Sequence, residues 1–338
     1  MKKIFYPLLL ISSIIILNRC STDFDIYAEY KDVTIVYGIL DISDDTTWVK
    51  LTKAYTGPGN ALLIAKNPDS SNYPYKLDVS LVGKEGNNVL SPIVFDTITI
   101  HNKAVTETII NEDGDTIILN PFYAPDQLLY YAAEPLNKNA DYTLLINKTD
   151  KQLSASTSIV DEFNVSKPVN RISFSTTTDG SIEWKSTKNG KRYEVSLRFN
   201  YQEYAPGYSD TLNKSVEWFL GVVNSKTTDG GEGLEKTYSG PGFYTLLESK
   251  LEPIPNVQRW AGNVDITIAC GSQVLATYLD INSAGGSLLE EVPVYSNIDG
   301  GTGVFASRHT IMRVVGLSVT TERNLIEDYN LGFKFKSK

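Results

Sequence analysis

Two imidazoles, His101 and His309, are all the histidine in this chain of 338 residues, so proton-transfer chemistry near neutral pH would fall to them. Acyl or phosphoryl transfer needs a nucleophile or a phosphate cradle alongside such a base. The sequence contains no Gly-x-Ser-x-Gly elbow, no His-Glu-x-x-His pair and no Gly-x-x-x-x-Gly-Lys loop. His101 precedes Asn102 in a polar loop and His309 opens a strand, which suits solvated or structural roles. Glycoside hydrolysis would instead use two carboxylates about 5–9 Å apart, and 40 Asp and Glu single out no such pair. On these residues the chain is expected to be non-catalytic and to need no cofactor.

Hard cations want several oxygens from one loop. Asp41, Asp44 and Asp45 form one such cluster; Asn111, Glu112, Asp113 and Asp115 form another. Neither has the spacing of a calcium loop, and Asp and Asn populate turns because they bond their own backbone and tolerate positive φ. No metal is expected. The segment Gly300-Gly301-Thr302-Gly303 runs into Val304-Phe305 and not into a helix, so it lacks the dipole of an anion site. A tight turn or bulge permitting close backbone approach is the better use for it.

Sulfur carries a more specific signal. Lys2 and Lys3 precede an apolar run of about 14 residues, short of the roughly 20 a membrane span needs and right for a secretory leader. Leu17-Asn18-Arg19-Cys20 follows and resembles a bacterial lipobox, although Arg19 stands where such motifs carry a small residue. Residues 1–19 are thus expected to be a signal peptide, Cys20 the lipidated residue and 20–30 a tether. Several acyl chains on one terminus make membrane residence stable. The acidic stretch Ser21-Thr22-Asp23-Phe24-Asp25 resembles the export signal that takes Bacteroidota lipoproteins to the outer face of the outer membrane. Cys270 then has no intrachain partner; in the strand pattern of residues 264–270 it reads as a small buried hydrophobe. A net charge of -9 argues against nucleic acid and against broad adhesion to an anionic bilayer.

The chain has 20 Tyr against 2 Met, and tyrosine and threonine favour half-buried pleated surfaces. Trp184, Tyr193 and Trp218 are expected in the core. Tyr201, Tyr204 and Tyr208, near a turn-rich loop, are the candidate binding residues, since exposed aromatic faces stack on sugars and anchor interfaces. Asp45-Thr46-Thr47, Asp96-Thr97-Ile98, Asp115-Thr116-Ile117 and Asp210-Thr211-Leu212 resemble the acceptor used for O-glycosylation of exported Bacteroidota proteins.

Positioning these residues falls to strands. Period-2 alternation recurs at 33–39, 48–51, 77–81, 142–146 and 153–159. Asp113-Gly114 between matched β-branched runs predicts a hairpin with a two-residue turn. Residues 60–67 could make a helical turn. Alternation lapses near 162–168, then resumes at 172–174, 182–184, 193–199, 264–270, 274–281 and 310–319, with one amphipathic helix over 244–251. The fold expected is mainly all-β: an immunoglobulin- or transthyretin-like sandwich over 31–164, then a fibronectin III-like β domain over 165–338 with one or two short helices.

Residues 33–40 with 48–55, the strand at Tyr142 running into Leu153-Ser154-Ala155-Ser156-Thr157, and Tyr295-Ser296-Asn297-Ile298-Asp299-Gly300-Gly301-Thr302-Gly303-Val304-Phe305 resemble a family of Bacteroidota outer-membrane lipoproteins with a domain of unknown function. Its members are often encoded beside TonB-dependent receptors. The resemblance implies an accessory lipoprotein facing the cell exterior, held to the outer membrane by its lipid, with a TonB-dependent receptor as partner. It carries no active residues. A fimbrillin-type pilus subunit, needing a removable strand such as residues 33–40, is the alternative; a surface glycan hydrolase is the third.

Overall fold

The computed structural model describes residues 33–54, 68–101, 108–110, 116–118, 126–283 and 295–335. The expected leader, Cys20, the helical turn at 60–67 and the turn residues Asp113 and Gly114 lie outside them. The first half supplies β1 (Thr34–Leu40), β2 (Thr47–Lys53), the short helix α1 (Pro68–Ser71), β3 (Asp78–Glu85), β4 (Asn88–Val89) and β5 (Ile93–Val94). Next come β6 (Asp96–Ile100), β7 (Thr108–Ile110), β8 (Thr116–Ile118), β9 (Gln127–Ala132), β10 (Asp141–Asn147) and β11 (Gln152–Ser158). The second half opens with β12 (Val165–Lys167), β13 (Arg171–Ile172), β14 (Gly180–Lys185), β15 (Arg192–Tyr204), β16 (Leu212–Asn224) and β17 (Gly233–Tyr238). It ends with α2 (Gly240–Lys250), β18 (Gln258–Gly271), α3 (Gln273–Ser283), β19 (Thr302–Leu317) and α4 (Val319–Glu327).

The fold is mainly β, built as two sandwiches around one long sheet. That sheet runs β16-β15-β18-β19-β1-β2-β9-β6, with β13 also on β19. The inner face of β1, β2 and β9 packs through Val36, Leu40, Val49 and Tyr130 against Leu81, Leu144, Ile146 and Leu153 of the sheet β11-β10-β3-β4. The inner face of β15 and β18 packs through Tyr193, Val195, Ile266 and Ile268 against Trp184 and Leu234 of the sheet β12-β14-β17. Helices α2 and α4 close that second core with Phe243, Tyr244, Leu247 and Leu325. Alternation along each strand separates the buried set from the outward one. Trp184 and Tyr193 are fully buried as expected, and Trp218 packs on the same core.

The two cores meet near Ile159 and Val160, close to the lapse in alternation. The division is not linear along the chain, however. Residues 302–307 of β19 pair in parallel with β1, and residues 308–315 pair antiparallel with β18. Ile298 and Phe305 accordingly belong to the first core, so part of the stretch assigned to the second domain completes the first. The glycine segment makes this possible. Gly303 has φ +114°, and a Cβ on it would run into the Val36 carbonyl oxygen, so only glycine lets β19 lie this close to β1.

One further expectation changes. Residues 274–281 are helical, in α3, not a strand. Leu275 there packs with Val274, Tyr278 and Leu279 onto Ile39, Val304 and Ala306, a spacing of three and four that serves a helix. In β1 the buried set is Thr34, Val36 and Leu40, so Ile35, Tyr37 and Ile39 point outward. β7 and β8 pair antiparallel, with Ile109 facing Ile117.

Candidate functional site

The residues chosen from sequence do not form one site. Tyr201 is in the core, where its ring lies 5.9 Å from Phe199 and 6.1 Å from Phe333, and it offers no face to a ligand. Alternation in β15 sends it inward. Tyr204 ends that strand, exposed. Tyr208 is half-buried, and its hydroxyl donates to Glu203 Oε1 at 3.1 Å while the Lys214 ammonium sits 5.6 Å from its ring centre.

What holds this corner is a buried ion pair that alternation alone would not place inside. Glu203 faces inward from β15 and accepts from Arg259 Nε at 2.8 Å and from Lys214 Nζ at 2.5 Å. Arg259 spends its remaining nitrogens on the carbonyls of Leu331 (2.7 Å) and Glu252 (2.8 Å), tying the segment after α4 to the sheet. Burial pushes the Glu203 carboxyl pKa up, but bonds from Lys214, Arg259 and Tyr208 outweigh it and hold the group below its ordinary value.

A second buried pair sits where β19 changes partner. Asp41, just after β1, has one oxygen 3.3 Å from His309 Nδ1 and accepts on it from the Ser43 backbone (3.0 Å) and hydroxyl (2.6 Å). Arg308 Nε lies 3.5 Å from its other oxygen. Burial raises the Asp41 pKa and the bonds from His309 and Ser43 more than reverse that. His101, exposed, bonds Asp126 at 2.7 Å. Among the described residues no hydroxyl or thiol is bonded to either imidazole. The Cys270 thiol is enclosed, and burial pushes its pKa up to about 12, which removes it from nucleophilic use. The described residues contain no group of three or more His, Cys, Asp or Glu able to hold a metal. Of the Asp-Thr-apolar motifs, Thr211 is exposed, and Thr46 and Thr97 are half-buried.

The feature that does gather is an aromatic face on the outside of the long sheet. Trp48 stands opposite Tyr131 across β2 and β9, their rings 5.7 Å apart. Tyr37 stands opposite Lys50 across β1 and β2, and Ile98 opposite Leu129 across β6 and β9. Trp48 is 40% exposed, Tyr37 44% and Ile98 43%. Tyr278 of α3 bonds Tyr37 at the border of the patch, while Lys50 Nζ donates to Gln127 at 2.8 Å within it. Sequence reasoning missed this face because Tyr37 was counted in an alternating apolar set without knowing which side was buried. The signal available was the presence of apolar residues on both sides of β1.

No family model matches the chain, and no curated protein does. Among solved structures it is similar to the C-terminal globular domain of an oligosaccharyltransferase from Pyrococcus abyssi, at 10% identity and TM-score 0.20, over 85% of this chain and 50% of that one. A biofilm-associated protein BSP domain matches at 9% identity and TM-score 0.15, over 84% and 60%. A Bacteroides uniformis β-glucuronidase matches at 10% identity and TM-score 0.14, over 86% and 27%. The chain spans about half the length of the first of these. At such TM-scores none bears on fold or function.

Proposed function

We propose that this chain is a non-catalytic lipoprotein, tethered to the outer membrane through Cys20 and facing the exterior, that serves a TonB-dependent transporter by docking to it or capturing its ligand. The observation that carries this is the contiguous face of Tyr37, Trp48, Tyr131, Leu129 and Ile98. Aromatic side chains give large contact area at low entropy cost, and a contiguous exposed patch of them marks an interaction site. Among the described residues no hydroxyl or thiol is bonded to an imidazole and the Cys270 thiol is enclosed, which favours a binding role over catalysis. No helix among the described residues is long and apolar enough to cross a membrane, so in this account attachment rests on the lipid.

A pilus subunit would need an N-terminal strand able to leave. β1 lies between β2 and β19, and its removal would split the long sheet in two, which disfavours that alternative. Two experiments test the proposal. Cys20→Ser should move the protein from membrane to soluble fractions, and persistence in the membrane would contradict the anchor. The tagged chain, drawn from detergent-solubilised outer membranes, should bring down a large β-barrel; recovery of none would contradict the accessory role.

A further inference from the structure

We infer that the cleft where the two sandwiches meet is a binding site for a neutral, multiply hydroxylated ligand of mono- to disaccharide size. The cleft measures about 450 Å³ and is lined by Asp141, Ser156, Ser158, Asn189, Thr228 and Ser272, among others. Its volume lies in the range of small-molecule sites, which favour junctions between domains.

The lining selects the ligand. Val274 is its one apolar residue, so nearly every lining side chain brings a polar group to the cleft. Asp141 is its one charged residue, and its carboxylate disfavours an anion. The remaining groups are hydroxyls, amides and backbone N–H groups with capacity to spare. Ser272 is only 5% exposed. It accepts from the Ser307 N–H at 3.4 Å, and among the described residues its own hydroxyl hydrogen meets no acceptor. Asp141 commits one oxygen to the Ser158 hydroxyl and leaves the other open. Asn189, held in a left-handed backbone conformation (φ 62°), donates Nδ2 to the Ile159 carbonyl at 2.8 Å and keeps its Oδ1.

The edge of β11 adds donors. Ser154 turns both its N–H and its carbonyl to Asp299. By the two-residue repeat, Ser156 and Ser158 then turn the same way. Asn297 Nδ2 and Ser307 Oγ take their carbonyls, while among the described residues their N–H groups have no partner. A sugar hydroxyl is both donor and acceptor, so a ring of them can satisfy such a mixed lining; apolar or singly charged molecules would leave part of it unmet. This site is separate from the aromatic face and does not depend on the docking proposal.

The test is ligand-observed NMR and calorimetry on the full chain in detergent, with glucose, galactose, mannose, xylose, maltose and cellobiose as probes and inorganic phosphate as the anionic control. At least one sugar should bind at millimolar concentrations and phosphate should not. Thr228→Trp, which fills the cleft from its loop side, and Asp141→Asn should each weaken that binding by about tenfold. Unchanged thermal unfolding would show that both variants are folded, and Trp48→Ala should leave sugar binding as it was. Binding by none of the sugars, binding by phosphate alone, or loss on Trp48→Ala with Thr228→Trp neutral would each overturn the assignment.

Discussion

Across β6, β9, β2 and β1 the outer face of the long sheet sets Trp48 against Tyr131 and Ile98 against Leu129, with Tyr37 across from Lys50, whereas across β16, β15, β18 and β19 it spaces its apolar residues apart. In the second region Phe219 and Met312, 62% and 63% exposed, are the ends of one cross-strand row whose middle is Ser196 and Thr267. The next row is Glu217, Arg198, Asp265 and Val314, with Arg198 and Glu217 paired at 2.5 Å. Single exposure is higher there than at Trp48, yet scattered apolar residues are normal on any surface. Ring contact between neighbours, not exposure, distinguishes the first region, and that is why the proposed docking is assigned to it.

The comparison requires that both regions belong to one sheet, and the variant that attacks this should have the largest effect. Gly303→Val would force β19 away from the Val36 carbonyl; a loss above about 4 kcal/mol is expected, seen as insoluble protein or a collapse of the unfolding transition. A stable Gly303→Val protein would show that the two regions are held together by something else. Next in size is Arg259→Ala, which takes from buried Glu203 the cation on its Oε2, leaving Lys214 and Tyr208 on Oε1, and strips the Leu331 and Glu252 carbonyls of their donor. Denaturant melts should show a loss of about 3–5 kcal/mol, with the first region's aromatic face still able to bind.

Acid comes third. Asp41 and Glu203 have pKa values lowered by folding, so the stability they contribute is present above the unfolded values near pH 4 and is lost as pH falls through the lower folded values. Unfolding should therefore be insensitive to pH between about 7 and 5 and steepen below about 4. Asp41→Asn should shallow that limb, and an unchanged limb would remove Asp41 from the account. The smallest effect is expected from Phe219→Ser with Met312→Ser, within about 0.5 kcal/mol of the parent.

Much of this was legible in the residues and some was not, for physical reasons. Alternation located β1, β2, β10, β11, β14 and β15 because one face of each is buried. It could not say which face of β1 that was, because Val36 and Leu40 on one side and Ile35, Tyr37 and Ile39 on the other are all apolar. The glycine segment suggests a tight turn or bulge with close backbone approach; the close approach is there at Gly303, inside β19, but its partner, β1, lies far away in the chain, and no local pattern reports a parallel pairing across that separation. Residues 274–281 misled because Val274, Leu275, Thr277 and Tyr278 suit a strand by composition, and only their packing on β19 reveals a helix. Tyr201 reads as a binding residue because it lies beside the turn-rich loop; that β15 continues to Tyr204 with Glu203 inside depends on Arg259 of β18, beyond the view of local sequence.

The most direct test is a paired capture experiment from solubilised outer membranes. One bait carries Trp48→Ala with Tyr131→Ala, and the other carries Phe219→Ser with Met312→Ser. The first should lose the co-purifying β-barrel by about tenfold or more while remaining folded, and the second should retain it. Equal retention by both baits, or loss confined to the second, would contradict the assignment of the aromatic face.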